Sequence, residues 1–428
     1  MIKRIKSYVS TLFETGFFHI VGTSVLNRII QMLVGIVLVR IMSKEAYGVY
    51  AYAFNIFSFF LLFNGLGAVS AILQICSEQS DDKKKMYATF FFGYKFGVLV
   101  DLAMAVLIVL FAAFVPLSLS GSNHILMLYA VYPLAQLLCE IKTTQFRVTF
   151  RNKEYALLTN LQTILFSAGS LIGAFLHGPE GLAIGSTLGL FANYVLACKV
   201  FPIDRSYAKE RIDKSEKRDF AGIAGISAFN NGVAQALTLV GTFLVGTLLA
   251  NEQMVASYKV ATTIPFALLF VPNIVVIYIM PHFAKNHAKR SWTMRNYMRI
   301  TASLGLGMLV VVVGCCVLAE PITLLLFGER YLDSVPIFRL LMIGFLISAV
   351  FVVPTGNLLV TQRKLLFNTF VGIVSIVTNI ATSMLLIPGQ GMVGAALSYD
   401  ITMAVGAILS VGYYLYVIFR LDSTSTQE

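Results

Sequence analysis

The residue with the clearest chemical reach in this chain is Arg28, in the stretch GTSVLNRIIQ (22–31). Ser24, Asn27, Arg28 and Gln31 recur at helical spacing and make one polar stripe on an otherwise apolar run. Hydrocarbon offers no hydrogen-bond partners, so such a stripe must face protein or water. A charge inside a span costs about 2.5–3.5 kcal/mol on insertion scales, which makes it a functional candidate by default. A guanidinium can grip two oxygens of an anionic group at once. A structural ion pair between helices is the alternative.

A second stripe of the same kind is Ser227, Asn230, Asn231 and Gln235. The two stripes are expected to face one cavity. Lys259 could be a further contact for an anion or an anchor at the outer leaflet. Asp101 and Asp400 fall mid-span. Each could carry a coupling proton or help hold Na⁺, since burial disfavours the charged carboxylate. Each could also form a salt bridge, Asp101 for example with Lys95 or Arg28. Arg40 and Arg339 stand near the outer boundary, where their heads can snorkel, and Lys95 is open to either reading. Arg147 and Arg151 could attract a headgroup at the cytoplasmic mouth or only set topology and touch anionic lipid.

These residues need long apolar elements to hold them, and the composition supplies them. Hydrophobic residues are 57% of the 428, charged residues only 12%. A bilayer core of roughly 30 Å needs about 20 residues of helix. The apolar runs predict spans at 16–41, 47–75, 87–115, 123–145, 155–177, 181–201, 219–249, 254–281, 299–319, 333–356, 365–387 and 391–419. Lys and Arg test the count. The N-terminus, the even-numbered loops and the C-terminus carry 25 cations, and the odd loops carry two, Lys44 and Arg330. One missed span would reverse every later loop, so both termini are expected to be cytoplasmic. The net charge of +11 therefore reads as topology and not as a nucleic-acid surface.

The polar stretch 202–218 divides the chain into six spans and six. The predicted organisation is an amphipathic cytoplasmic N-terminus (1–15), a first six-helix bundle (16–201), a cytoplasmic linker (202–218), a second bundle (219–419) and a cytoplasmic tail (420–428). No cleavable signal is expected, because no small-residue site follows the first apolar run. Gly22, Ser24 and Asn27 match Gly225, Ser227 and Asn230 without a gap, a weak parallel repeat of the halves. HGPEG (177–181) and IPGQG (387–391) read as tight turns. Gly169 and Gly173, and Gly181, Gly185 and Gly189, are spaced for close helix approach. The GLG at 65–67 follows no strand and is not a nucleotide loop. The five cysteines fit no metal site and are expected as free thiols.

LVRIMSKEAYGVYAYAFNIFSFF (38–60), NGLGAVSAI (64–72), ITLLLFGERYLDSVPIFRLLMIG (322–344) and NTFVGIVSIVTNIATSMLLIPGQGMVGAALSYDI (368–401) together resemble a known family. It is the polysaccharide (O-antigen type) flippases of the multidrug/oligosaccharidyl-lipid/polysaccharide exporter superfamily. The likeness runs over most of the chain, through order and spacing more than any single motif. It implies an all-α membrane fold of about twelve helices, in two six-helix bundles facing a central cavity. It implies a bacterial plasma-membrane location and a substrate of lipid-linked oligosaccharide, usually on undecaprenyl pyrophosphate. Arg28, with Asn27, Gln31, Asn230, Asn231, Gln235 and Lys259, is then expected to meet the pyrophosphate. No cofactor is expected beyond H⁺ or Na⁺ for coupling, and the partners would be the polysaccharide polymerase and chain-length machinery.

A membrane glycosyltransferase or polymerase would need positioned carboxylates or a metal on a sizeable external loop. The outer loops here are short and the five histidines form no cluster. A cation-coupled multidrug exporter of the same superfamily is the nearer rival. It needs acids in the cavity, whereas cations are at least as prominent here. A lipid II flippase usually has more spans.

Overall fold

The computed structural model describes residues 17–202, 210 and 212–421. The expected N-terminal segment 1–15, the linker cations Arg205, Lys209 and Arg211, and residues 422–428 of the tail lie outside the described residues. Every regular element described is helical. The first are α1 (Phe17–Ile41), α2 (Lys44–Leu61), a 3-10 turn (Asn64–Gly67), α3 (Ala68–Glu78) and α4 (Lys83–Phe114). Then come α5 (Ser122–Leu128), α6 (Tyr132–Val148), α7 (Asn152–Val200), α8 (Lys214–Leu249), α9 (Glu252–Leu268), α10 (Phe270–Lys285) and α11 (Arg290–Val317). The last are α12 (Ala319–Leu326), a 3-10 turn (Glu329–Ser334), α13 (Val335–Ile347), a π turn (Ser348–Val352), α14 (Val353–Thr361) and α15 (Leu365–Phe419).

Helices start where side chains can take orphan backbone donors. Ser43 accepts from Ala46 N–H at the start of α2, Asp82 from Lys85 N–H at α4, and Asn251 from Met254 N–H at α9. Among the described residues nine helical segments are long and apolar enough to cross a membrane, ten when α8 is added. Their outer faces are apolar. On α11, Val310 is 67% and Val317 71% exposed, which suits a lipid-facing surface. The chain is a multi-pass membrane protein.

α7 and α15 run 49 and 55 residues, more than twice what one crossing needs. Each turns back at a left-handed glycine, Gly178 (φ 57°) before Pro179 and Gly391 (φ 59°) after Pro388. These are the two turns expected from HGPEG and IPGQG. The arms of α7 then meet through glycine. A Cβ on Gly169 would lie 2.1 Å from the Gly185 carbonyl oxygen, and one on Gly173 1.9 Å from that of Gly181. In α15, Asn379 of one arm donates to Thr402 of the other at 3.2 Å.

Other spans depart from the continuous helices expected. The span predicted at 47–75 breaks at Asn64–Gly67, the same GLG that had no assigned role. The one predicted at 254–281 divides at Leu269 between α9 and α10. Pro272 has no N–H to give to the Leu268 carbonyl, so the helical ladder loses a rung there. The 333–356 span contains the π turn.

The chain divides into two compact units, Met1–Gly232 and Val233–Glu428. The division falls inside α8 and not in the 202–218 stretch. Phe220 and Ala224, from the first half of α8, join Ala68, Ile72, Phe90 and Leu137 in the core of unit 1. The approach is so close that a Cβ on Gly67 would come within 2.2 Å of the Ala224 carbonyl oxygen. Unit 2 has its own core of Ile279, Phe283, Tyr297, Leu358, Leu359, Tyr414 and Ile418.

Candidate transport site

α1 has three faces. Thr23 and Asn27 are buried, and the Asn27 amide donates to the Thr159 carbonyl of α7 at 3.4 Å. Leu26, Ile29 and Leu33 are exposed and apolar. Ser24, Arg28 and Gln31 are exposed and polar. At about 100° per residue, the polar arc lies roughly opposite Leu26 and Leu33. So the stripe read from the sequence splits: Asn27 holds α1 to α7, while Arg28 and Gln31 share the exposed polar arc. Arg28 stands near the middle of α1.

On α8, Asn230 is half-buried and Asn231 and Gln235 are exposed. Lys259 of α9 is half-buried. Its carbonyl accepts from the Thr262 and Thr263 hydroxyls at 2.8 and 3.0 Å. Its ammonium has no hydrogen bond or ion pair among the described residues.

Asp101 sits beside the break in the second span. Gly65 (φ 54°), Leu66 (φ 45°) and Gly67 (φ 76°) are all left-handed, so the helix between α2 and α3 is interrupted. An interruption inside hydrocarbon strands backbone donors. Asp101, on α4 and fully buried, takes them. Its Oδ1 accepts the Gly65 N–H at 2.7 Å. With the Asn64 amide nitrogen turned toward it, that nitrogen donates to Oδ2 at 3.0 Å and to the Pro133 carbonyl at 3.1 Å. Both carboxylate oxygens are thus engaged, by backbone and amide rather than by Lys95 or Arg28.

Two charged residues of α6 went unnoticed as candidates. Glu140 lies beside Asn64 and accepts from Gln136 Nε2 at 2.8 Å. Lys142, expected as a loop cation, is instead 1% exposed inside α6. Its ammonium donates to the Phe201 carbonyl and to Gln145 Oε1. Phe201 caps the C-terminus of α7, where carbonyls and the helix dipole favour a cation. The signal for both was the run Glu140-Ile141-Lys142, falling inside the 123–145 span. Arg339 works similarly: its Nε donates to the Cys316 carbonyl at the end of α11 at 3.1 Å.

Asp400 is placed differently. It lies on the second arm of α15, and its carboxyl rests on α13 at Gly344. A Cβ on Gly344 would meet Asp400 Oδ1 at 2.4 Å and the Tyr399 ring at 2.6 Å. That Oδ1 is buried and has no side-chain hydrogen-bond partner. Nearby, Thr238, Tyr258, Thr262, Asn379 and Tyr399 line a small cavity of unit 2. Among the described residues no group of three or more His, Cys, Asp or Glu is arranged to hold a metal ion.

The sequence model of the family described as polysaccharide biosynthesis protein matches residues 37–336. An uncharacterized membrane protein in the cps region of Klebsiella pneumoniae is 33% identical over 102 residues. That match spans 24% of this chain and only 21% of the relative's length. Two solved structures share the fold. One is the inward-facing conformation of a multidrug resistance MATE family transporter of the MOP superfamily, with a TM-score of 0.76 at 13% identity, over 93% of this chain and 96% of that one. The other is the lipid II flippase MurJ in an inward closed conformation, with a TM-score of 0.72 at 14% identity, over 93% of this chain and 89% of that one. The match over most of its length shows that this chain belongs to the polysaccharide biosynthesis protein family, on the fold of the MOP superfamily transporters.

Proposed function

We infer that the protein is a flippase that carries a lipid-linked oligosaccharide, on undecaprenyl pyrophosphate, from the cytoplasmic to the outer leaflet of a bacterial plasma membrane. The family supports polysaccharide biosynthesis, and the fold supports a transporter rather than an enzyme. The observation that carries the substrate reading is Arg28: a guanidinium in mid-helix, on an exposed polar arc set apart from the apolar faces of α1. A diphosphate leaving water needs a cation at that depth, and a guanidinium can bind two of its oxygens together. Gln31, Asn230, Asn231, Gln235 and Lys259 would supply further polar contacts. Asn27 would act through α1, by fixing the helix to α7.

Counting the folded-back α7 and α15 as two spans each, and α8 as one, brings the number to twelve, with both ends in the cytoplasm. Transport proceeds by alternating access, the polar headgroup in water and the polyprenyl tail in lipid. It is driven by H⁺ or Na⁺, and the product passes to a polymerase and its chain-length machinery. The test is movement of a pyrophosphate-linked glycolipid across proteoliposomes. Arg28→Ala is expected to lose most of the activity and Arg28→Lys to keep part. Full activity in the alanine variant removes Arg28 from the mechanism. A multidrug exporter is the second reading, supported by the MATE fold; it would transport lipophilic cations and be indifferent to Arg28.

A further inference from the structure

We propose that Asp400 is a proton-binding site through which a proton gradient acts on unit 2, with the contact between Asp400 and Gly344 as its moving part. The proposal rests on the transporter reading and commits it to one ion and one residue. Asp400 lies nine residues beyond the Gly391 turn. At about 1.5 Å per residue that is roughly 14 Å, near the middle of a 30 Å hydrocarbon core. Its Oδ1 is buried against the Gly344 backbone with no side-chain donor. An ionised carboxylate is an acceptor only, with room for about four hydrogen bonds, and burying it unpaired is costly. The protonated acid is the form this setting accepts.

The surroundings leave little else for it to bind. α13 presents Gly344, with no side chain to donate. The titratable groups facing Asp400 are Tyr258 of α9 and its own neighbour Tyr399. Lys259, next to Tyr258, forms no ion pair with it. Hard cations such as Ca²⁺ or Mg²⁺ gather about six oxygens, and this notch offers one carboxyl against a Cα. A proton needs only that.

The same notch explains how the proton would be felt. With Gly344 bare, the carboxyl sits directly on α13, four residues before the π turn at Ser348–Val352. A π turn is a place where a helix can shift register, and such turns cluster at functional sites. The neutral acid lets α15 rest on α13. The carboxylate must find water or a donor, so losing the proton favours parting the two helices at that point.

Two readouts test this. Infrared difference spectra of the purified protein in detergent, wild type against Asp400→Asn, report the carbonyl stretch of a protonated carboxyl without needing any substrate. At neutral pH the wild type is expected to show such a band, sensitive to D₂O, that is missing in Asp400→Asn and retained in Asp101→Asn. In proteoliposomes carrying a pyrophosphate-linked glycolipid, a pH gradient is expected to accelerate wild-type movement several-fold and Asp400→Asn not at all. A spectrum unchanged by Asp400→Asn overturns the proton site, as does equal acceleration in both proteins. No glycolipid movement by the wild type would count against the flippase reading instead, while the spectra still decide the site.

Discussion

Asp101 and Asp400 are the same residue type, each set inside a long apolar helix, yet the two units treat them in opposite ways. In unit 1 the helix is broken, and Asp101 answers the break by accepting from Gly65 and Asn64. In unit 2, among the described residues, no stranded amide or backbone turn meets Asp400; its Oδ1 lies buried against the helical backbone at Gly344, with no side-chain donor. A mid-membrane acid is therefore not a signature of ion coupling by itself. Its role depends on whether the fold has stranded donors beside it. Where donors are stranded, the acid is architecture; where they are not, the setting suits the proton exchange proposed for Asp400.

The largest effect is expected from Asp101→Ala. It orphans the Gly65 N–H and takes away one of the two acceptors of the Asn64 amide, and a buried unpaired donor costs about 1–3 kcal/mol. The thermal midpoint in detergent should fall well below that of any Asp400 variant. An unchanged midpoint would erase the distinction between the two acids. Gly344→Ala comes next. Its methyl would collide with Asp400 Oδ1 and the Tyr399 ring, and overpacking typically costs about 1–3 kcal/mol. Adding Asp400→Ala should recover part of that loss, because one of the two colliding groups is gone; additive effects in the double variant would mean the carboxyl does not rest on Gly344. The smallest effect is expected from Asp400→Asn, which has no side-chain hydrogen bond to lose and should shift stability by less than about 1 kcal/mol. A loss as large as that of Asp101→Ala would point to a partner for Asp400 and undo the contrast.

What could be read from the residues alone follows the range of the interactions involved. The turns at 177–181 and 387–391 were legible because Gly and Pro act locally. The glycine ladder of α7 was legible because its spacing follows from helical geometry. The break at Asn64–Gly67 was not. An isolated GLG inside an apolar run looks like a flexible point in a helix, and what stabilises the break is Asp101, 36 residues away. The stripe on α1 was visible as polarity, but its division between a packing face with Asn27 and an exposed arc with Arg28 depends on where α7 lies. Glu140 and Lys142 were missed because they stand near a span end, where charge is ordinary; only the fold shows Lys142 buried against the end of α7.

The most direct measurement places two substrates side by side in the same proteoliposomes: a pyrophosphate-linked glycolipid, followed by its accessibility at the outer surface, and a lipophilic drug cation, followed by its uptake. The glycolipid is expected to cross at a rate that depends on the protein and on Arg28, and the cation is not. Transport of the cation with the glycolipid left in its original leaflet would contradict the flippase assignment.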